Sequence, residues 1–128
     1  MIPNAIEEVL RYQAPSPVQG RYVAHDVECR GEKIPKGSIM LLLNGSANRD
    51  ERHFPDGERF DIHRRGAHLS FGQGLHFCMG SALARMQARV ALEEVLQRWP
   101  DWTVDYDNAA MAHTTSVRGW AKLPVTTG

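Results

Sequence analysis

Apolar residues are distributed along the chain in distinct regimes. In "IPNAIEEVLRYQAP", Ile6, Val9 and Leu10 recur on one side of a helical wheel, which predicts a short opening helix. Pro3 suits its first turn, and Pro15 disfavours helical geometry at Ala14 and so stops it. Two to three turns do not hold alone in water, so this helix must pack on something. Over residues 18–44, "RYVAHDVEC" partly alternates, "RGEK" and "PKG" read as turns, and the run "SIMLLLN" reads as a buried strand rather than a helix segment. From Gly45 to Leu69 the chain is polar and aperiodic. A stretch of that length in a small domain is functional or disordered. Its Phe54 and Phe60 predict that it is pinned by packing.

The clearest helix follows. Ala84, Ala88, Ala91, Leu92, Val95 and Trp99 recur at helical spacing, Leu83, Met86 and Val90 widen the stripe, and Arg85, Arg89, Glu93 and Gln97 line the other face. Glu94 and Arg98 form a favourable i,i+4 pair, and Pro100 ends the helix. The remainder reads as short strands joined by turns. The pattern predicts an α+β class without internal repeats.

Composition narrows the function classes. With 128 residues the chain fits one domain, and 42% hydrophobic and 23% charged residues lie in the globular range. Lys+Arg and Asp+Glu each number 15, which argues against a nucleic-acid or anionic-membrane partner. No apolar run is long enough to span a bilayer, and no secretory signal follows Met1. Cys29 and Cys78 do not make a disulfide framework, and a reducing cytoplasm is the expected location.

The densest chemistry lies in "LSFGQGLHFCMGSALAR" at 69–85. Cys78 sits just ahead of a helix start, where unpaired N–H groups and the helix dipole favour a thiolate. Gly72, Gly74 and Gly80 permit close backbone approach to a flat or bulky group, and His76 stands ready to donate to an anion. A buried cysteine acting as a small apolar residue is the bland alternative. A zinc site lacks CxxC or HxxxH spacing. A nucleophile with His76 or His68 as base remains open, although two positions apart on one loop is poor geometry for a His76–Cys78 pair.

These residues carry a resemblance. "FGQGLHFCMG" is similar to the haem-binding loop of the cytochrome P-450 family, F-x-x-G-x-[RH]-x-C-x-G, at Phe71, Gly74, His76, Cys78 and Gly80. Well upstream, "EEVLR" resembles the family's E-x-x-R pair with Glu8 and Arg11, and "GERF" offers Arg59 as the third member of its buried network. "IPKG", "ANRDERHFPDGERFD" and "ALAR" extend the similarity over nearly the whole chain, which looks like the bacterial soluble type.

The resemblance implies the C-terminal, haem-binding part of that fold, spanning residues 1–128. It comprises the short E-x-x-R helix, a small sheet, the meander and cysteine loop, the long helix and C-terminal hairpins. It implies Cys78 as axial thiolate ligand of a haem iron, hence catalytic, with Phe71, Gly72, Gly74, Gly80 and Ala84 against the cofactor. His76 and Arg21 match positions that hold the haem propionates. Residues 16–19 and 114–116 match substrate-pocket segments, and Arg85 and Arg89 offer a cationic face to an acidic ferredoxin. The implied reaction inserts one oxygen atom from O2 into a small organic substrate, with electrons from NAD(P)H through a redox partner. A complete member is much longer and carries a distal helix that this chain does not match. The alternative is therefore a truncated, non-catalytic haem-binding remnant, prone to self-association through apolar surface.

Overall fold

The computed structural model describes residues 1–114 and 116–128. Helix α1 spans Ile2–Tyr12, with proline in its first turn, and closes where the Gln13 N–H donates to the Val9 carbonyl at 2.8 Å. Strand β1 (Gln19–Tyr22) pairs antiparallel with β4 (Ile39–Leu42), from Gln19 opposite Leu42 to Tyr22 opposite Ile39. The hairpin β2 (Val27–Cys29) and β3 (Glu32–Ile34) is inserted between them. Its turn places both Arg30 and Gly31 at positive φ, 52° and 84°, as a tight two-residue connection requires.

A single turn of helix, α2 (Asn44–Ala47), opens the long polar segment, and a 3-10 turn over Gly74–His76 leads to the cysteine loop. Helix α3 runs from Ser81 to Arg98 and packs on α1. The C-terminal part adds two ribbons. Strand β5 (Trp102–Val104) pairs with β8 (Val125–Thr127), and β6 (Ala110–Met111) pairs with β7 (Trp120–Lys122). The described residues therefore form four separate two-stranded sheets and a packed helix pair, an α+β arrangement.

Packing departs from the sequence pattern in three places. The inward face of α1 is polar: Ile6 is buried, but so are Glu8 and Arg11, whereas Val9 is 48% exposed. Apolar periodicity misses this because the buried charges neutralise each other. The run around β4 is a strand as expected, yet not a buried one, with Ile39 75% and Leu41 61% exposed. On α3, Leu83, Met86 and Val90 are exposed, while Arg85 of the polar face turns toward α1. The meander is pinned by Phe54, which is buried. Phe60 is half exposed and meets the Tyr12 ring edge-on at 5.7 Å.

Candidate functional site

A buried polar hub organises everything near the cysteine loop. Arg11 Nε and Nη2 donate to the two carboxylate oxygens of Glu8, each at 2.8 Å. The same guanidinium donates through Nη1 to the carbonyls of Asn48 and Gly57 at 2.8 Å, and through Nη2 to that of Arg59 at 3.1 Å. Glu8 also accepts the Asp61 N–H at 2.8 Å, and Arg64 Nε lies 3.5 Å from its Oε1. Burial pushes the Glu8 carboxyl up, but Arg11, the Asp61 N–H and Arg64 outweigh it, leaving it below its ordinary value.

The hub corrects the role expected for Arg59. Its side chain is exposed and donates to Asp61 at 2.6 Å; only its backbone carbonyl joins the network. Arg64 approaches Glu8 instead, while its Nη atoms hold the carbonyls of Pro55 and Asp56. Both arginines lie in one aperiodic loop, and only the loop's path decides which of them turns inward.

Gly57 serves the hub through its backbone. A Cβ there would collide with the Arg49 carbonyl group, so the carbonyl that serves Arg11 sits where no side chain fits. Gly57→Ala is expected to cost about 2 kcal/mol, read as a lower urea midpoint. An unchanged midpoint would refute the close approach.

Asn48 is wholly buried; it lies in the family-like stretch "ANRDERHFPDGERFD", which by itself gives it no role. Its Nδ2 donates to Ser70 Oγ at 2.8 Å, its Oδ1 accepts the Leu69 N–H at 2.7 Å, and Ser70 Oγ donates to the Leu10 carbonyl at 2.6 Å. These bonds clamp the lead-in of the cysteine loop to α1. On the same side, Arg85 donates through Nε and Nη2 to Glu7 at 2.6 and 2.8 Å and lies over the Phe71 ring, 4.5 Å from its centroid. Two nitrogens of Arg85 are thus engaged within the fold, and its side chain stays partly exposed. Arg89 remains on the surface, paired with Glu93 at 2.8 Å.

His68 lies between these groups, its side chain only 3% exposed and its Nε2 3.2 Å from Glu7. Burial outweighs that carboxylate and holds the imidazole below its ordinary value of 6.5. The unfolded chain therefore takes up this proton first. Neutral His68 contributes fully above pH 6.5, and its contribution is lost as pH falls from there through the folded-state value. Glu7 and Glu8 are lowered from 4.5, so their contribution is complete above that pH and is lost last, as pH falls from there through their folded-state values. Melting temperature against pH should start to fall below 6.5, and His68→Gln should flatten that first limb. Identical slopes in the two proteins would remove the assignment.

The cysteine loop itself is open. The Cys78 N–H donates to the Phe71 carbonyl at 2.8 Å, and the Cys78 thiol is free and exposed. Gly72 and Gly74 hold φ of 72° and 70°, the left-handed region that a side chain strains. The Gly80 backbone caps α3, where its carbonyl accepts the Ala84 N–H at 2.8 Å. Phe71 packs against Phe77 with centroids 6.4 Å apart.

Beside this loop, Arg21 of β1 and His76 line one cavity of about 320 Å³ with Gly72 and Gln73, and no acidic residue lines it. Arg21 reaches the Gly20 carbonyl at 2.9 Å and Gln19 Oε1 at 3.2 Å, both uncharged acceptors. Pro17 and Val18, from the first expected substrate segment, share a second cavity with Arg118, whose N–H donates to the Pro15 carbonyl at 2.7 Å. In the other segment, Thr114 Oγ1 accepts the Val117 N–H at 3.1 Å, and Thr115 lies outside the described residues.

A sequence model described as Cytochrome P450 matches residues 1–112. The chain belongs to the cytochrome P450 family. A protein of Mycobacterium tuberculosis named as cytochrome P450 123 is 49% identical over 126 residues, covering 97% of this chain and 31% of its own length. The 6-deoxyerythronolide B hydroxylase of Saccharopolyspora erythraea is 47% identical over 128 residues, with 97% and 31% covered. Among solved structures, a cytochrome P450 of Bacillus megaterium in complex with testosterone superposes with a TM-score of 0.89 at 37% identity, over 97% of this chain and 35% of that one. The chain spans about a third of the length of the curated P450 relatives it matches.

P450 proteins carry haem, and the donor set here fits that group. Among the described residues no three His, Cys, Asp or Glu side chains gather around a metal position. An accessible thiol such as Cys78, without further ligands gathered beside it among the described residues, suits a metal whose other ligands arrive within its own cofactor. The acid-free cavity with Arg21 and His76 suits carboxylates. No described helix is long and apolar enough to cross a membrane.

Proposed function

We propose that these residues form the C-terminal, proximal part of a haem-thiolate monooxygenase, with Cys78 as the axial ligand. The observation that carries this reading is the exposed Cys78 thiol at the mouth of α3, on the loop whose His76 shares a cavity with Arg21. When bound, haem would supply oxygen activation, with a thiolate ligand rich in electron density.

The chain's own residues would do the rest. The Cys78 N–H bond to the Phe71 carbonyl fixes the loop at the N-terminus of α3. Arg21 and His76 would pair with the propionates, and Phe71 would cover the sulfur side. Gly72, Gly74, Gly80 and the small Ala84 would leave room for the group. Glu8, Arg11 and Asn48 hold the scaffold on which these groups stand.

The substrate would be a small organic molecule that gains one oxygen atom from O2, the electrons coming from NAD(P)H through a ferredoxin-like donor. One relative's name as a hydroxylase supports that class. Exposed Leu83, Met86 and Val90 on α3 support association through apolar surface. The deciding experiment adds hemin to the purified chain and records the absorption spectrum after reduction under carbon monoxide. A long-wavelength Soret band of the thiolate type is expected, and its absence would overturn haem binding by these residues.

A further inference from the structure

Two asparagines one helical turn apart are treated very differently. Asn48 satisfies both ends of its amide, on Ser70 and Leu69. Asn44, the first residue of α2, is only 8% exposed, and its Nδ2 is buried with no hydrogen-bond partner among the described residues. A buried amide without a partner is costly, and folded proteins leave few of them. The clamp between the meander and α1 is already made by Asn48, so scaffolding gives Asn44 no work.

Asn44 lines the cavity shared by Arg21 and His76. The polar lining is completed by Gln19 and Gln73, and Leu43 and Leu69 contribute apolar wall. The lining offers donors and positive charge, with no carboxylate to consume them. Nδ2 itself is out of solvent reach, and a half-turn of the terminal torsion, which exchanges nitrogen and oxygen, would present it to a ligand in the cavity. In this setting the fitting ligand is an anionic acceptor carried on an apolar body.

We propose that Asn44 is the third member of a carboxylate clamp, its amide N–H2 donating to a haem propionate held by Arg21 and His76. The proposal rests on the haem reading above. It also accounts for the residue type: aspartate at 44 would set a like charge against the carboxylate, and alanine would withdraw the donor.

The test compares hemin with hemin dimethyl ester, whose propionates carry no charge. Both are titrated into the wild-type chain, Asn44→Ala and Asn44→Asp, following the Soret change. For hemin, Asn44→Asp should weaken binding roughly tenfold or more and Asn44→Ala several-fold, as expected for a bond to a charged group. For the ester, the three proteins should agree within about twofold, because no charged acceptor is present. Taking the ratio of the two ligands within each variant removes any general loosening of the fold. A constant ratio across the three proteins overturns the clamp, including the case where Asn44→Asp weakens both ligands equally. If the wild type itself gives no thiolate-type band with hemin, the haem reading fails and takes this inference with it. If that band is present and the ratio is flat, only Asn44 is misassigned.

Discussion

Cys78→Ala is expected to abolish the thiolate-type Soret band of the reduced, carbon monoxide-treated chain, while leaving the apo fold nearly untouched. The thiol is exposed, and the one described bond that Cys78 donates is its backbone N–H to Phe71, which alanine keeps. Loss of an exposed side chain with no such partner changes stability by about 0.5 kcal/mol or less. The same melting temperature with no long-wavelength band is therefore the signature of a ligand. A variant that retained the band would place the axial donor elsewhere, and a variant that unfolded would make Cys78 a packing residue.

Arg11→Ala should be the most damaging substitution for the fold itself. One guanidinium makes five bonds, two to Glu8 and three to the carbonyls of Asn48, Gly57 and Arg59. Breaking a buried ion pair from one side costs about 3–5 kcal/mol, because the remaining charge stays buried without a partner. Against a typical domain stability of about 5–15 kcal/mol, that leaves the chain close to its unfolding limit. The buried hydrophobic residues among those described are Ile6, Ala14, Val23 and Phe54, so little apolar burial stands in reserve.

A double variant separates the contributions. Were the pair isolated, Glu8→Leu added to Arg11→Ala would restore stability. Here it should not, since three backbone carbonyls still lose their donor. Denaturant unfolding of the two variants reads the difference, and full recovery in the double variant would reduce the hub to a simple ion pair.

The parts of this architecture legible in the sequence are those set by local pattern. Helix α3 follows from the spacing of its apolar residues, and the cysteine loop from glycines packed around one thiol. The strands from Gln19 to Leu42 follow from alternation and turn residues. The resemblance also paired Arg21 with His76 across distant sequence, and the two do line one cavity.

The remainder depends on where a long aperiodic loop travels. Nothing local distinguishes Arg59 from Arg64, or marks Asn48 as the wholly buried residue. The inward face of α1 defeats a hydrophobicity reading because its inner residues are charged and mutually paired. Helix α3 taken alone gives Arg85 a solvated face, whereas its partner Glu7 lies on another helix. Each miss is a contact between residues far apart in sequence, made through side-chain or backbone polar groups that carry no periodicity.

The division of the described residues into four two-stranded ribbons has a consequence for how the molecule opens. Ribbons that share no ladder break their hydrogen bonds separately, so each can fray at a free energy well below that of global unfolding. Arg21 rides on the β1–β4 ribbon, whereas His76 belongs to the loop whose lead-in Asn48 and Ser70 clamp to α1. The two side chains of one cavity thus sit on opening units of unequal local stability. Amide hydrogens of β1 and β4 would exchange with solvent ahead of those in α1, and a ligand bridging Arg21 and His76 would tie the two rates together.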